Sequence, residues 1–436
     1  MQAAATEHLI TPARNIEGSL RLPGDKSISH RYALLGGFAA GTTRLTNFST
    51  GADCASSLGC VAALGAGVTR DGATIEIAGT GGHFQPPAAP LDCGNSGSTM
   101  RMLSGLLAAQ VADPPGSFTL IGDSSLSRRP MERIRKPLTA MGARIELTDS
   151  HAPIAIHGAP LTGIDYTTPV PSAQVKTALL FAGVQAEGRT LVREAVRTRD
   201  HGELALRAFG ATIVRSLESV SIAGGQSLTG IEAEVPGDIS SAAFFLCAAA
   251  LFPGSNLIFD ALGLNPTRAT LLDVLTALGA HIGVLNLEEK HGELVGTVQV
   301  NAPPHGLTGT SIAGVLSAQL IDELPVLAAI GPYTQSGIRI RDAKELRVKE
   351  SDRIALVAAN LRAMGAEVVE FEDGLDVPGG QSLHGAIIDS GGDHRIAMAF
   401  SVAALRAQGD TLIRGAESAA ISFPEFFDLL EGVVQR

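Results

Sequence analysis

Residues 141–145 read Met-Gly-Ala-Arg-Ile, a short motif that closes a stretch with helical spacing and leads into a β-branched residue. A glycine adopts a positive φ there without strain, so it can end a helix just before a strand begins. The motif returns at 63–68, 209–213, 278–282 and 364–368, with a degenerate copy at 430–434. Successive glycines lie 77, 68, 69, 86 and 67 residues apart, which predicts six units of about 70 residues each.

A second pattern lies between these corners, where a cluster of Ser, Asp, Asn or Gly opens a run of small apolar residues. It occurs at 25–41, 94–109, 172–188, 237–254, 322–331 and 393–409. Two helices per unit, with strands between them, predict an α/β protein of six βαβαββ repeats, three in each of two domains. Helices that open in this way present backbone N–H groups, and several such ends placed together attract anions.

The charge and hydropathy of the chain exclude several classes of protein. Its 33 Lys and Arg residues against 44 Asp and Glu residues give a net charge of −11, so we expect no nucleic-acid partner. The longest uninterrupted apolar run, 242–252, is far shorter than the roughly 20 residues of a bilayer span, so we expect no membrane insertion. The first residues include Glu7 and do not resemble a signal peptide, which predicts a cytoplasmic protein.

The metal-binding residue types do not form a ligand pattern. The four cysteines form no CxxC pair, and the 11 histidines contain no HExxH or HxxxH pair. We therefore expect buried, reduced thiols and no metal site.

Two glycine-containing motifs invite catalytic interpretations that their spacing excludes. In LPGDKSISHR (22–31), Asp25 stands where a nucleotide-binding P-loop needs glycine before its lysine. In GNSGSTMR (94–101), Ser98 stands where a serine nucleophile elbow needs glycine. What remains is Lys26 and Arg31 in the first turns of a helix, where cations oppose the helix dipole unless an anion binds there.

Further cations lie near predicted helix openings. Arg129 precedes Pro130, which is predicted to start a helix, and Arg395 follows the predicted cap Asp393. A solvated helix face is the alternative interpretation for most of the basic residues in these stretches. Because the cations recur at helix openings of an acidic chain, we expect a cationic cleft that binds small polyanions through charge-assisted contacts of ~1.5–3 kcal/mol each.

Carboxylates accompany these cations. Lys349, Glu350 and Arg353 are predicted to lie one helical turn apart, so that a cation, a carboxylate and a guanidinium face one ligand. Asp322 opens a helix within an apolar stretch, where it is either a base or an ordinary helix cap.

The motifs together resemble the 5-enolpyruvylshikimate-3-phosphate synthase family, within the enolpyruvyl transferases, over essentially the full chain. The matching stretches, in family order, are LPGDKSISHR, GNSGSTMR, GDSSLSRRPM, SAQVKTALL, VPGDISSAAF, IDELP, LRVKESDR and DHRIAMAF. The resemblance implies two inside-out α/β domains of three repeats each, with a ligand cleft between them. Residues 1–21 plus 237–436 would form the first domain and 22–236 the second, with a two-strand hinge near 21–23 and 235–237.

The resemblance implies an enzyme that transfers the enolpyruvyl group of phosphoenolpyruvate to the 5-hydroxyl of shikimate 3-phosphate and releases phosphate. This reaction belongs to the shikimate pathway of aromatic amino acid biosynthesis and uses no cofactor. A monomer is expected, with glyphosate as an inhibitor.

The family's functional residues carry over by motif. Asp322 would be the base at the 5-hydroxyl, and Glu350 with Lys26 would be the acid and base at carbon. Shikimate 3-phosphate would be bound by Lys26, Ser27, Arg31, Ser172, Ala173, Gln174, Arg199, Asp322 and Lys349. Phosphoenolpyruvate would be bound by Lys26, Asn95, Gly97, Arg129, Gln174, Arg353 and Arg395. Glu350 must carry a proton at the start, so a raised pKa is predicted for it, opposed by nearby cations.

One position departs from the family pattern. Ile421 precedes Ser422-Phe423-Pro424 where some members carry a phosphate-binding lysine, which leaves the strength of glyphosate inhibition open. Two alternatives remain. The sister enzyme that acts on a UDP-aminosugar uses a reactive cysteine in a loop that corresponds to 116–130, where this chain has none. A binding protein without catalysis would gain nothing from carboxylates such as Asp322 and Glu350 in the same cleft.

Overall fold

The computed structural model describes residues 6–111 and 117–436. They divide into two compact units. The first unit comprises residues up to Pro23 together with Pro236–Glu288 and Leu294–Arg436. The second comprises Gly24–Val235 and the short segment Glu289–Glu293.

The chain begins in the first unit with two strands, β1 (Glu7–Ile10) and β2 (Asn15–Arg21). The helices of the second unit are α1 (Lys26–Phe38), α2 (Ala52–Ala63), α3 (Gly97–Leu107), α4 (Glu132–Met141), α5 (Ala173–Gly183) and α6 (His201–Ala208). Its strands are β3 (Thr42–Thr46), β4 (Gly67–Asp71), β5 (Thr74–Ala78), β6 (Leu91–Asp92), β7 (Phe118–Ile121), β8 (Arg144–Thr148), β9 (His151–His157), β10 (Asp165–Thr167), β11 (Arg189–Arg193), β12 (Ile213–Arg215), β13 (Ser219–Ala223) and β14 (Glu232–Glu234).

The chain then returns to the first unit. The helices there are α7 (Ile239–Leu251), α8 (Thr270–Ala277), α9 (Val315–Gln319), α10 (Leu324–Ile330), α11 (Arg353–Ala363), α12 (His394–Ala404) and α13 (Phe426–Val433). The strands are β15 (Asn256–Gly263), β16 (His281–Lys290), β17 (Glu293–Asn301), β18 (Gly309–Ile312), β19 (Gly337–Ile340), β20 (Val369–Phe371), β21 (Gly374–Val377), β22 (Ile387–Asp389), β23 (Thr411–Arg414) and β24 (Val434–Gln435). The end of β16 and the first residue of β17 fall within the segment Glu289–Glu293, which belongs to the second unit.

The second unit is built from three four-stranded sheets of one design, ordered β14-β3-β5-β4, β6-β7-β9-β8 and β10-β11-β13-β12. In each sheet the first two strands are parallel and the remaining neighbours are antiparallel, as in the pairs Leu91↔Leu120 and Phe118↔Ile156. The run β6-α3-β7-α4-β8-β9 is one complete βαβαββ repeat. The repeat predicted from the glycine corners is therefore confirmed.

Strands distant in sequence complete one repeat of the second unit and two repeats of the first unit. In the second unit, β14 lies parallel to β3, with Ala233 opposite Leu45. In the first unit, β2 lies parallel to β15, with Leu20 opposite Phe259, and β1 pairs with β23. The remaining first-unit repeat, β18-β19-β21-β20, has the same order as those of the second unit.

The helices that open with polar clusters form the interior of each unit. Every residue of α7 is buried, and its small side chains suit a helix that is surrounded by protein. In the second unit α3 and α5 pack with their backbones close together, because a Cβ at Gly105 would lie 2.1 Å from the carbonyl oxygen of Ala178. Each unit has its own apolar core, to which these buried helices and one face of the sheets contribute. Within the described ranges, no helix has the length and hydropathy of a membrane-crossing segment.

Five of the six predicted corners have the expected geometry. The glycine after each helix has a positive φ, between +88° and +119°, at Gly65, Gly142, Gly210, Gly279 and Gly365. The degenerate sixth copy differs, since Gly432 lies inside α13 and strand β24 follows that helix directly.

Candidate active site

Helix α1 opens the candidate site of the second unit. Asp25 caps the helix by accepting a hydrogen bond from the Ile28 amide at 2.9 Å. The cap leaves Lys26 and Ser27 in the first turn, where the Lys26 ammonium lies 2.9 Å from the buried carboxylate of Asp53. This ion pair holds a cation at a helix N-terminus, which the helix dipole alone would disfavour.

Arg31 lies one turn further along α1 and is 3% exposed. Its guanidinium donates to the Ser27 carbonyl at 2.8 Å and to the Thr177 hydroxyl of α5 at 3.1 Å. The pKa of Arg31 is lowered to about 10, chiefly by burial, with the charge of Arg199 acting in the same direction and that of Glu203 opposing both. An anion bound here would offset the cost of burying the guanidinium.

Helix α3 begins beside this group. Ser96 caps it by accepting from the Thr99 amide at 3.1 Å, and Gly97 is the first helical residue. A Cβ at Gly97 would lie 3.1 Å from a guanidinium nitrogen of Arg101 and 3.3 Å from one of Arg129. The glycine therefore lies beside two cations, and a methyl group there would require the end of the Arg101 or Arg129 side chain to move slightly.

Arg129 is 7% exposed and donates to the Asn95 side-chain oxygen at 2.9 Å. The prediction that Pro130 starts a helix is wrong, because α4 begins at Glu132 with Met131 as its cap. Arg129 instead ends a 3-10 turn, Leu126–Arg128, in extended conformation. It is thus a loop cation beside the start of α3.

Helix α5 contributes the amide of Gln174. Ser172 caps α5, and Ala173 is the first helical residue. The Gln174 side-chain oxygen accepts from Arg101 at 2.7 Å, and its amide donates to the Ser98 hydroxyl at 2.9 Å. The starts of α3 and α5 are therefore joined directly through side chains.

Two residues of the second-unit site, Arg101 and Asp53, were not predicted from the sequence. Arg101 lies within the GNSGSTMR stretch, but a basic residue in a helix interior gives no local sign of its partner 73 residues away. Asp53 lies 27 residues from Lys26, and only the folded structure brings the two together.

In the first unit, Asp322 lies among three cations. Its Oδ1 atom is 3.8 Å from the Lys349 Nζ, 3.7 Å from Arg353 and 3.9 Å from Arg395. Arg395 also donates to the backbone carbonyl of Asp322 at 2.8 Å. A carboxylate surrounded in this way suits a site that binds an anion and removes a proton.

Arg353 connects Asp322 to the other carboxylates of the first-unit site. It is 1% exposed, contacts Glu350 at 2.6 Å and donates to the fully buried Asp393 at 2.8 Å. Burial raises the pKa of Asp393, but the charges of Arg353 and His394 and the hydrogen bond from Arg353 together outweigh it, so the pKa of Asp393 is lowered overall. Among the residues that the structure describes, the buried Arg353 Nη1 has no hydrogen-bond partner. A bound anion could accept from it.

Two predictions about local structure at this site are wrong. Lys349 and Glu350 do not share a helix with Arg353, since α11 begins at Arg353 and the two earlier residues follow a 3-10 turn, Lys344–Val348. Asp322 is not a helix cap, because α10 begins at Leu324 with Glu323 before it. The predicted residues still lie together, since Asp322 contacts both Lys349 and Arg353.

Burial lowers the pKa of Lys349, and the charges of Asp322 and Glu350 oppose this lowering.

The structure also shows where the four cysteines, Ile421 and the metal-binding residue types lie. All four cysteines are free and buried, as predicted. Ile421 ends the 3-10 turn Ala416–Ile421 and is partly buried. Over 6–111 and 117–436, no group of three or more His, Cys, Asp or Glu side chains is arranged to hold a metal ion.

His30 gives a pH-dependence that can be measured. Burial, together with the charges of Lys26 and Arg31, lowers the pKa of His30 well below its usual 6.5. Its contribution to stability is therefore present above pH 6.5 and is lost progressively as the pH falls below 6.5, because only the unfolded chain takes up the proton. Between pH 7.5 and 5, the unfolding midpoint of the wild type should fall more than that of His30→Asn.

The difference in unfolding free energy between wild type and variant should change by at most about 1.4 kcal/mol per pH unit. Thermal unfolding followed by circular dichroism would measure it, with the exposed His83→Asn as control. Parallel curves for wild type and His30→Asn would show that His30 does not remain neutral in the folded protein.

The comparisons with known proteins all identify the same family, and the matches cover nearly the whole chain. A family model described as EPSP synthase (3-phosphoshikimate 1-carboxyvinyltransferase) matches residues 10–430. The 3-phosphoshikimate 1-carboxyvinyltransferase of Koribacter versatilis is 64% identical over 428 residues, which cover 98% of this chain and 99% of that relative. The protein of the same name from Solibacter usitatus is 53% identical with the same coverage.

A solved structure shares the fold. The EPSP synthase from Acinetobacter baumannii superimposes with a TM-score of 0.87 at 38% identity, covering 99% of this chain and 98% of that structure. The family model, the relatives and the solved structure agree on the family, and the solved structure also agrees with the two-domain α/β fold. The chain belongs to the EPSP synthase family of 3-phosphoshikimate 1-carboxyvinyltransferases.

Proposed function

We propose that this chain transfers the enolpyruvyl group of phosphoenolpyruvate to the 5-hydroxyl of shikimate 3-phosphate, giving 5-enolpyruvylshikimate 3-phosphate and phosphate. The observation that carries the proposal is the position of Asp322 among Lys349, Arg353 and Arg395. The cations suit two phosphorylated substrates, and the carboxylate suits removal of a hydroxyl proton. In a protein that only bound polyanions, that carboxylate would weaken the binding of the anions.

The second unit would hold the phosphate of shikimate 3-phosphate. Ser27 and the buried Arg31 supply donors at the start of α1, and Arg199 lies near enough to influence the pKa of Arg31. On the α5 side, Ser172, Ala173 and Gln174 lie at the helix start. Lys349 of the first unit would bind the same substrate.

Phosphoenolpyruvate would be bound by Lys26, Gly97 and Arg129 of the second unit, with Asn95 fixing the Arg129 guanidinium. Gln174 would contact both substrates. In the first unit, Arg353 and Arg395 would supply further cations.

The chemistry requires two proton transfers that carboxylates can perform. Asp322 would take the proton of the 5-hydroxyl as it attacks C2 of phosphoenolpyruvate. Glu350, with Lys26, would protonate the methylene carbon and later remove a methyl proton while phosphate leaves. The 2.6 Å contact with Arg353 favours the ionised form of Glu350, so the substrate would have to draw Arg353 away before Glu350 holds a proton. The raised pKa of Glu350 stays a prediction.

Identification of the product tests this proposal. Phosphoenolpyruvate and shikimate 3-phosphate incubated with the protein should give inorganic phosphate by ³¹P NMR and the vinylidene protons of an enol ether by ¹H NMR. Phosphoenolpyruvate that stays intact would overturn the proposal. The expectation of a monomer also stays a prediction.

We expect glyphosate to inhibit this chain, because the absence of a side chain at Gly97 would leave room for an inhibitor larger than phosphoenolpyruvate. In Gly97→Ala the added methyl would contact Arg101 and Arg129, so the larger glyphosate should be excluded before phosphoenolpyruvate. We expect the inhibition constant for glyphosate to rise at least about tenfold, with a smaller rise in the KM for phosphoenolpyruvate. Steady-state kinetics with Gly59→Ala, where a methyl meets no atom within 4 Å, gives the control. Equal losses for inhibitor and substrate would refute this steric account.

A further inference from the structure

A continuous chain of buried polar side chains joins helices α1, α2 and α3 in the second unit. The Nδ1 atom of His30 lies 2.8 Å from the Ser57 hydroxyl, which lies 2.7 Å from the Thr99 hydroxyl. Thr99 then donates to the Ser96 hydroxyl at 2.8 Å. These four residues, which we call the hydroxyl chain, are all 0% exposed.

The two ends of the hydroxyl chain lie beside residues of the proposed site. His30 directly precedes Arg31 on α1, and Ser96 directly precedes Gly97 on α3. Ser57 lies between them on α2, one helical turn after Asp53, which binds Lys26. One face of α2 therefore contacts the beginning of α1 and the beginning of α3 together.

The protonation state of His30 sets the direction in which hydrogen bonds are donated along the hydroxyl chain. Burial and the charges of Lys26 and Arg31 keep His30 neutral, so one ring nitrogen carries a proton and the other does not. Among the described residues, His30 Nε2 has no hydrogen-bond partner. A proton on Nε2 would be a buried donor without an acceptor, so the proton lies on Nδ1. His30 therefore donates to Ser57, Ser57 donates to Thr99, and Thr99 donates to Ser96.

We propose that the hydroxyl chain is a positioning device that fixes the start of α3, and thereby the phosphoenolpyruvate contact at Gly97, against helix α1. This inference rests on the proposed function. Ser96 accepts from both the amide and the hydroxyl of Thr99, so the hydroxyl chain and the helix cap share one oxygen atom. Loss of the Thr99 hydroxyl loosens the first turn of α3. The start of α1 keeps its own cap, Asp25, and its ion pair with Asp53.

Thr99→Val removes the hydroxyl and keeps the shape of the side chain. We expect the KM for phosphoenolpyruvate to rise about tenfold, because a buried hydrogen bond and the partner it leaves unsatisfied are lost. The value of kcat should stay within about twofold, since ground-state and transition-state binding weaken together. The KM for shikimate 3-phosphate should also change by less than about twofold, because α1 keeps its anchors. Thr99→Ser keeps the hydroxyl and should restore the KM for phosphoenolpyruvate.

Ser104→Ala is the matched control. Ser104 is a buried hydroxyl of the same helix, but it donates to the Met100 carbonyl and lies outside the hydroxyl chain. Its removal should change neither KM value. Amide hydrogen exchange of the ligand-free protein gives a second measurement, in which Thr99→Val should speed exchange in the first turn of α3 and Ser104→Ala should not.

The outcomes separate this inference from the proposed function. If the wild type turns over and Thr99→Val leaves the KM for phosphoenolpyruvate unchanged, or changes kcat alone, the positioning role is overturned. An equal loss in Thr99→Val and Ser104→Ala would also overturn it. If the wild type does not convert the two substrates, the proposed function fails. In that case amide hydrogen exchange still tests the anchoring of α3, and an unchanged exchange rate in the first turn of α3 in Thr99→Val would overturn it.

Discussion

Replacing Asp322 with asparagine should lower kcat by about 10²- to 10⁴-fold, the usual contribution of a general base. Asparagine keeps the size of the side chain but cannot accept the proton of the 5-hydroxyl. Lys349, Arg353 and Arg395 lose a carboxylate that lies within 3.9 Å of each of them. They should therefore bind anionic substrates at least as tightly as before, so neither KM should rise.

Steady-state kinetics with both substrates measures this split between kcat and KM. Asp376→Asn is the matched control, since Asp376 pairs with the exposed Arg339 in the same unit and should leave both parameters unchanged. A raised KM for shikimate 3-phosphate with an unchanged kcat would mean that Asp322 orders the cations and does not act as a base.

Replacing Glu350 with glutamine should also lower kcat by about 10²- to 10⁴-fold, because the methylene carbon would lose its proton donor. Glutamine cannot donate a proton to carbon, although it can still accept a hydrogen bond from Arg353. In D₂O, the wild type should incorporate solvent deuterium at the methylene carbon of the product, through the methyl group of the tetrahedral adduct. The variant should lose this incorporation together with turnover.

Mass spectrometry of product formed in D₂O measures the deuterium content. Glu372→Gln is the control for this experiment, because Glu372 pairs with the exposed Lys344 and is not assigned to the site. Normal deuterium content at a normal kcat in Glu350→Gln would assign the carbon proton transfer to another group, with Lys26 as the first residue to test.

The repeat architecture was predictable because its main determinant is local. A helix that ends at a residue with positive φ favours glycine, so Gly65, Gly142 and their equivalents mark the corners in the sequence itself. The sixth corner was less regular because Gly432 lies within a helix. The strands that close each unit, such as β14 against β3, depend on pairing across nearly the whole unit, and local patterns do not reveal it.

The types of residue at the site were predictable, whereas their local geometry was not. Cations at helix openings conflict with the helix dipole, and that conflict identified Lys26. The pairing of Lys26 with Asp53 and the contact of Arg353 with Asp393 join residues 27 and 40 positions apart, so no local spacing predicts them. Charge spacing suggested a helix for Lys349 and Glu350, but a cluster held by tertiary ion pairs does not need a helix.

The central claim is that one site binds two anionic substrates and joins them with Asp322 as the base. Phosphate release from phosphoenolpyruvate, with and without shikimate 3-phosphate, tests it most directly for the wild type and Asp322→Ala. The account predicts release by the wild type only when both substrates are present, and a collapse of that release in the variant. Release from phosphoenolpyruvate alone, or equal release by Asp322→Ala, would contradict it.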